Sequence, residues 1–272
     1  MRRICGLSTT VAVCGVLGLL AALAGCRSND AVKHTNEGTT AERSLAPSPT
    51  VPLDPVTLGM VSGTVRVAGK APEQVKIDMS MDPVCSMMGG DNFAEQYMVK
   101  DGKLGNVYIY IKDGPTAAMS APARANAIVP IMDQVGCKYV PHVIALMRGG
   151  SVEFRNSDAT MHNIHTTPAE NGNQPIDISQ GPKGAPQMKQ FNRPEVMLPV
   201  RCNNHPWMNA FINVSATPFF AVTGPDGRFD ISGLPAGTYT LGAVHEKMGE
   251  QTTTVTVEPK GTAKADFNFS AK

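Results

Sequence analysis

The sequence predicts an all-β protein built as two β-sandwiches, on three observations. Beyond residue 57 apolar and polar residues alternate in short runs, with no amphipathic helix of convincing length. Gly, Pro, Asn and Asp break those runs at close intervals; the 272 residues include 26 Gly and 21 Pro. The stretch after position 57 is roughly 215 residues, room for two sandwiches of ordinary size.

The N-terminal element is different in kind. Arg2 and Arg3 precede an apolar stretch, 11–23, that ends in Leu23, Ala24, Gly25 and Cys26. A membrane-spanning helix needs about 20 apolar residues, so this shorter run reads as a cleaved export leader over 1–25. The sequence LAGC resembles the lipobox of bacterial lipoproteins. That resemblance implies acylation at Cys26 and a lipid-anchored protein of the cell envelope, on the periplasmic or outer-membrane face; an ordinary signal peptide cut after Ala24 is the alternative.

Residues 26–57 are polar and rich in Ser, Thr, Asn and Pro, and read as a flexible tether that carries His34 as a solvated residue. A coil of this length spans on the order of 30 Å. Removing 1–25 takes away two arginines and no acids, leaving the chain within one charge of neutral. Such a balance offers no footprint for nucleic acid and no polybasic membrane patch.

Strands are expected at VSGTVRV (61–67), NVYIYI (106–111), SVEFRN (151–156), VMLPVRC (196–202), FINVSA (211–216) and TTTVTVE (252–258). Between the first two lies IDMSMDPVCSMMGG, which sets Met79, Met81, Met87 and Met88 around Cys85. Thioethers beside a thiolate could hold Cu(I). The competing reading is a disulfide: if Cys26 is acylated and Cys202 binds metal, Cys85 and Cys137 are the pair left to an oxidising compartment.

The strongest chemical signal is VMLPVRCNNHPWMNAFINV, where Cys202, His205 and Met208 fall three apart. Val196, Leu198, Val200 and Cys202 share one parity, so the strand face that packs inward carries the thiolate with it. Asn203, Asn204 and Pro206 are turn formers that return His205 and Met208 to the same point. Upstream, GGSVEFRNSDATMHNIHT offers two histidines. If this segment is extended, His162 shares a face with Ile164 while His165 points the other way, which favours His162 as the fourth ligand and leaves His165 at the surface or beside the site. Two imidazoles, a thiolate and a thioether match a trigonal copper site with a weak axial Met. Zinc is the competing metal for Cys and His, and the Irving–Williams order together with Met208 favours copper.

CNNHPWM has the spacing and the proline of the amicyanin ligand loop, and VEFRNSDATMHNI resembles the first-histidine segment of amicyanin, plastocyanin and pseudoazurin. The resemblance, over about 139–216, implies a cupredoxin-like Greek-key β-sandwich with one copper per chain. It assigns His162 and His205 through ring nitrogens, Cys202 through its thiolate and Met208 axially. It gives Asn163 a hydrogen bond tying the two ligand loops, leaves the sulfur without an N–H from Pro206, and makes Trp207 an apolar patch at an exposed edge of His205. The polar stretch 167–191 is expected to be a long loop.

From Thr217 strands and turns follow closely, and GPDGRFDISGLPAGTYTL resembles the carboxypeptidase regulatory-like, transthyretin-like sandwich. That expectation divides the chain into a copper domain over 58–216 and a smaller sandwich over 217–272. Such a sandwich usually needs an earlier strand pair, so strands within 58–112 are alternatively assigned to it, with the copper domain inserted between them.

The expected function is a type 1 copper-binding lipoprotein that carries electrons and is not an enzyme; the sequence names no redox partner. The six histidines fall short of a trinuclear oxidase cluster, and no haem-attachment motif, two-cysteine ligand loop or Ser, His and Asp order appears. Copper storage or delivery by the methionine segment is the alternative, followed by an adhesion or carbohydrate-binding module. For the last, Phe219, Phe220 and Tyr239 read as core, and His142 and His245 as isolated packed or surface histidines.

Overall fold

Strand Gly59–Ala68 organises one half of the fold because its valines alternate: Val61, Val65 and Val67 all point inward. In the computed structural model, which describes residues 53–88, 92–125 and 127–270, this strand pairs antiparallel with Arg228–Leu234 and Lys103–Leu104 and parallel with Thr262–Lys264 and Phe267–Ser270. Val99–Lys100 extends the sheet beyond Lys103–Leu104. The link between the last two strands passes tight against this strand at Gly63, where a Cβ would lie 1.7 Å from the Ala265 carbonyl oxygen. The facing sheet runs Phe220–Val222, Tyr108–Asp113, Gly237–His245, Gly249–Val257. Val61, Val65, Leu104, Ile109, Phe229, Tyr239, Leu241 and Phe267 fill the space between the two sheets.

This pairing divides the chain differently from a linear split at 216. The strands at 59–68 and 108–113 pair with the C-terminal strands, and those within 99–104 extend the sheet of 59–68, so one sandwich is discontinuous and the other is inserted within it. The physical reason is burial: the valines of 59–68 and the Val107, Ile109 and Ile111 face complete a core that 217–270 alone leaves open on one side. The leader, Cys26, His34 and the linker up to residue 52 lie outside the described residues. At the end of the expected tether, Leu53 packs against this core, and the Thr57 carbonyl accepts from Lys260 N–H at 3.2 Å, so 53–57 are part of the folded body.

The inserted sandwich is also two sheets. One runs Asp177–Gln180, His162–Thr166, Glu195–Arg201, Asn209–Ser215, Val143–Met147; the other runs Gln187–Gln190, Ser151–Asn156, Ile131–Gln134, Tyr139–Val140. Phe154, Ile164, Leu198, Val200, Ile212 and Met132 fill the core between them. Each fully buried side chain of this size contributes about 1.5–3 kcal/mol.

Two local expectations are corrected. The stretch 167–191 is not all loop: it carries Asp177–Gln180 and Gln187–Gln190, which lie at the ends of their sheets. Their largely polar residues lack an alternating apolar face, since an edge strand needs a partner on one side only. Val196 does not share the inner face of Leu198 and Val200; it is 41% exposed. The register shifts between Glu195 and Leu198, where Met197 adopts φ 52°, and this bulge resets the alternation. Glu195 turns inward instead and accepts the Ala169 and Asn173 N–H groups.

One segment joins the sandwiches. Between Gly59–Ala68 and Val99–Lys100 the chain leaves its own sandwich and places Met79 and Cys85 in the core of the inserted one. Asp82 and Pro83 begin the short helix Pro83–Met87, with Asp82 Oδ1 accepting from Val84 and Cys85 N–H at 2.7 and 3.1 Å. Cys85 is disulfide-bonded to Cys137, stapling this cap to the hairpin turn that follows Ile131–Gln134.

Candidate metal centre

The strand Glu195–Arg201 delivers Cys202, and the following turn closes on itself: Cys202 N–H donates to the Met208 carbonyl at 3.2 Å and Met208 N–H to the His205 carbonyl at 2.9 Å. This brings His205 beside the thiol, with Cys202 Sγ 3.6 Å from His205 Nδ1. His162, at the start of its strand, reaches the same point, its Nδ1 lying 3.0 Å from His205 Nδ1. The donor atoms of His162, Cys202 and His205 all lie within 4.8 Å of one another, and the three side chains are 0%, 5% and 3% exposed. Met208, 1% exposed, closes the same turn.

The two imidazoles are oriented from outside by carboxylates. His162 Nε2 lies 2.8 Å from Asp158 Oδ2, and His205 Nε2 lies 3.0 Å from Asp82 Oδ2. An ionised carboxylate only accepts, so each Nε2 carries a hydrogen, and the two Nδ1 atoms face each other at the centre. Facing nitrogens at this distance are held together by a proton or a metal cation between them. The spacings of 3.0 and 3.6 Å suit donors sharing one first-row ion, at about 2.0 Å from nitrogen and about 2.3 Å from sulfur. By this test the residues fit a bound metal.

The electrostatics agree. Burial raises the Cys202 thiol, but hydrogen bonds from His162, from the Asn204 and Asn163 backbone and from His205 outweigh it and bring the group down to about 6. Burial lowers His162, while Asp158 and the Cys202 sulfur outweigh that and lift it to about 9. The bond from His205 holds Asp82 down at about 2. The groups that favour a proton on His162 would equally favour a metal cation in its place.

Of the other expected residues, Asn163 Oδ1 accepts the Asn203 N–H at 3.2 Å, joining the two ligand segments, while its amide donates to Asp177 and to the Ile178 carbonyl. His165 lies on the opposite strand face, 39% exposed and 3.3 Å from Asp177. Pro206 is exposed. The expected exposed edge of His205 is absent. Asp82 and the cap cover it, and Trp207 is half-buried, its ring 5.1 Å from that of His205 and its N–H donating to the Cys137 carbonyl at 3.0 Å. The methionine segment offers no free thiolate. Cys85 is in the disulfide, and Met79 is buried with its sulfur accepting from Asn92, although Met81 and Met87 are exposed.

Sequence reasoning missed both carboxylates. Asp158 is 4% exposed and also accepts the Gly136 and Cys137 N–H groups at 2.8 Å, fixing the disulfide turn and His162 with one side chain. Its place four residues before His162 was a usable signal, as was Asp82 before Pro83, a helix-start signature. His142 is also not isolated: it pairs with Glu246 of the turn between Gly237–His245 and Gly249–Val257 and bonds the Asn209 carbonyl at 3.1 Å.

Comparison with known proteins adds the following. Residues 201–270 match the family model of the carboxypeptidase regulatory-like domain; the match runs through the C-terminal strands of the discontinuous sandwich and takes in Asn209–Ser215 of the inserted one. No curated protein sequence matches the chain. Similar solved structures include a Cu-containing nitrite reductase from Thermus scotoductus SA-01, 23% identical with TM-score 0.30, aligned over 36% of this chain and 26% of that one. The reduced Cu(I) form of P52G amicyanin is 19% identical with TM-score 0.28, over 40% of this chain and 98% of that one. A purple cupredoxin from Nitrosopumilus maritimus is 23% identical with TM-score 0.26, over 32% and 99%. The chain thus spans about a quarter of the nitrite reductase's length.

Proposed function

We propose that this chain binds one copper ion through His162, Cys202 and His205, with Met208 as a weak axial ligand, and carries electrons in the cell envelope. The observation that supports this most is the pair of buried Nδ1 atoms facing each other beside a thiol of lowered pKa, each ring held from behind by a carboxylate. Bound copper would supply a one-electron couple between Cu(I) and Cu(II). Asp158 and Asp82 fix the tautomer and orientation of the histidines, the turn 202–208 fixes the sulfur, and burial excludes water and bulky ligands. A set this enclosed suits passage of an electron through the protein rather than entry of a substrate, so we read the chain as a carrier and not an enzyme.

The Cys85–Cys137 disulfide is in keeping with an exported protein, and the leader with its LAGC sequence supports anchoring through Cys26. Among the described residues no helix is long and apolar enough to cross a membrane. The test is voltammetry of the copper-loaded chain together with its self-exchange rate. A reversible one-electron couple with fast self-exchange is expected. An irreversible response, with copper lost on reduction, would overturn the carrier role.

A further inference from the structure

The two outer carboxylates of the centre have different origins. Asp158 belongs to the inserted sandwich, in the loop between Ser151–Asn156 and His162–Thr166. Asp82 arrives from elsewhere, on the cap that leaves the discontinuous sandwich between Gly59–Ala68 and Val99–Lys100. Its two oxygens divide their work. Oδ1 accepts the first N–H groups of helix Pro83–Met87, which fixes the plane of the carboxylate, and Oδ2 then accepts from Thr160 Oγ1 at 3.1 Å and from His205 Nε2 at 3.0 Å. The disulfide holds the helix in place from its other side, with Cys85 Sγ 3.7 Å from His205 Nε2. So anchored, Asp82 leaves His205 3% exposed.

We propose that Asp82 is a positioning residue for the metal centre, a negative charge held against the outer nitrogen of His205 that strengthens its Nδ1 as a donor and biases the site toward Cu(II). This rests on the copper reading above. A carboxylate accepting Nε2–H pushes electron density through the ring to Nδ1, and a fixed negative charge stabilises the doubly charged ion more than the singly charged one. Partners of this kind change metal affinity by about 10–100-fold when removed. Because the charge sits on the cap and not on the ligand sandwich, the redox preference of the centre is set by a segment belonging to the other sandwich.

The test compares the copper-loaded wild type with Asp82→Asn and Asp82→Glu. Asparagine caps a helix as well as aspartate does, so Asp82→Asn removes the charge and keeps the cap; equal melting midpoints of the metal-free proteins check this. Expected for Asp82→Asn are a retained thiolate-to-copper band, Cu(II) affinity at least tenfold weaker with Cu(I) affinity little changed, and a potential raised by ~59 mV per tenfold of that difference. Asp82→Glu should recover part of the shift. A coloured Asp82→Asn protein with wild-type potential and affinities would overturn the role of Asp82 and leave the copper site standing. A colourless wild type would remove both.

Discussion

The two sandwiches use their interiors differently. The discontinuous one closes on an apolar core of Val61, Val65, Ile109, Phe229, Leu241 and Phe267, in which Tyr239 donates to the Pro235 carbonyl at the edge. The inserted one is apolar through its middle, but at one end it buries His162, Cys202, His205 and Asp158 within a few ångströms. Buried polar groups cost stability unless they are paired. Here the outer nitrogens are paired through Asp158 and Asp82, while at the centre two Nδ1 atoms and a thiol face one another across a space that a proton or a metal cation can occupy. One sandwich is closed mainly by apolar packing, and the other gathers metal-ligand side chains at one end.

The sharpest way to break this comparison is to remove the thiolate. Cys202→Ser should abolish an intense visible copper band, because the sulfur supplies the charge-transfer transition, and it should leave the melting of the discontinuous core little changed. A retained band in the serine variant would exclude this site. A cut in the other core should do the reverse. Phe229→Ala, which also loses ring contact with Phe267, should cost about 3–5 kcal/mol in thermal or denaturant unfolding with the same band on the protein that remains folded. If the band changed as much as the stability, the two interiors would not be separable.

A third test lies where the sandwiches meet. His245 is buried against Tyr97 and Phe269, its Nε2 without a hydrogen-bond partner, and burial, reinforced by His142 and Lys247 against the opposing effect of Glu246, lowers it to about 4. Above pH 6.5 both folded and unfolded chains hold it neutral. Below that value the unfolded chain gains a proton that the fold refuses, so stability falls from pH 6.5 down to about 4 and this loss levels off beneath. The full effect is about 3 kcal/mol. His245→Phe should flatten that part of the stability–pH curve, and an unchanged slope would remove the assignment. The smallest effect is expected at Met208→Leu. Loss of a weak axial donor should keep the colour and raise the reduction potential; a lowered potential would show that Met208 is not an axial ligand.

Much of the fold was legible because alternation is a local signal. Gly59–Ala68, Ser151–Asn156 and Gly249–Val257 stand within a few residues of where their valines, phenylalanine and threonines place them. The ligand turn was legible for the same reason, since Cys202, His205 and Met208 lie within seven consecutive positions. What escaped was set by distant partners. The pairing of Gly59–Ala68 with Phe267–Ser270 joins the two ends of the described chain; the resemblance offered membership of the C-terminal sandwich as an alternative for this strand, but no local pattern names its partner. Asp82 looks like an ordinary helix cap until the fold brings it, 123 residues away in sequence, against His205. Asp158 could have been suspected from its spacing to His162, but its role depends on a turn at Gly136 and Cys137 that the sequence does not place beside it. The bulge at Met197 shows the same limit at short range: the parity of Val196 was read correctly as a pattern and was overridden by one residue at positive φ.

The central claim is that the facing nitrogens of His162 and His205 and the sulfur of Cys202 hold one copper ion. Its most direct test is to titrate the chain lacking residues 1–25 with Cu(II) while recording visible and EPR spectra and copper per chain. With Cys26 also removed, so that residues 27–272 are titrated, the account predicts a single strongly coloured centre with narrow copper hyperfine splitting, saturating at one equivalent. A colourless protein showing only weak, widely split copper signals would contradict it.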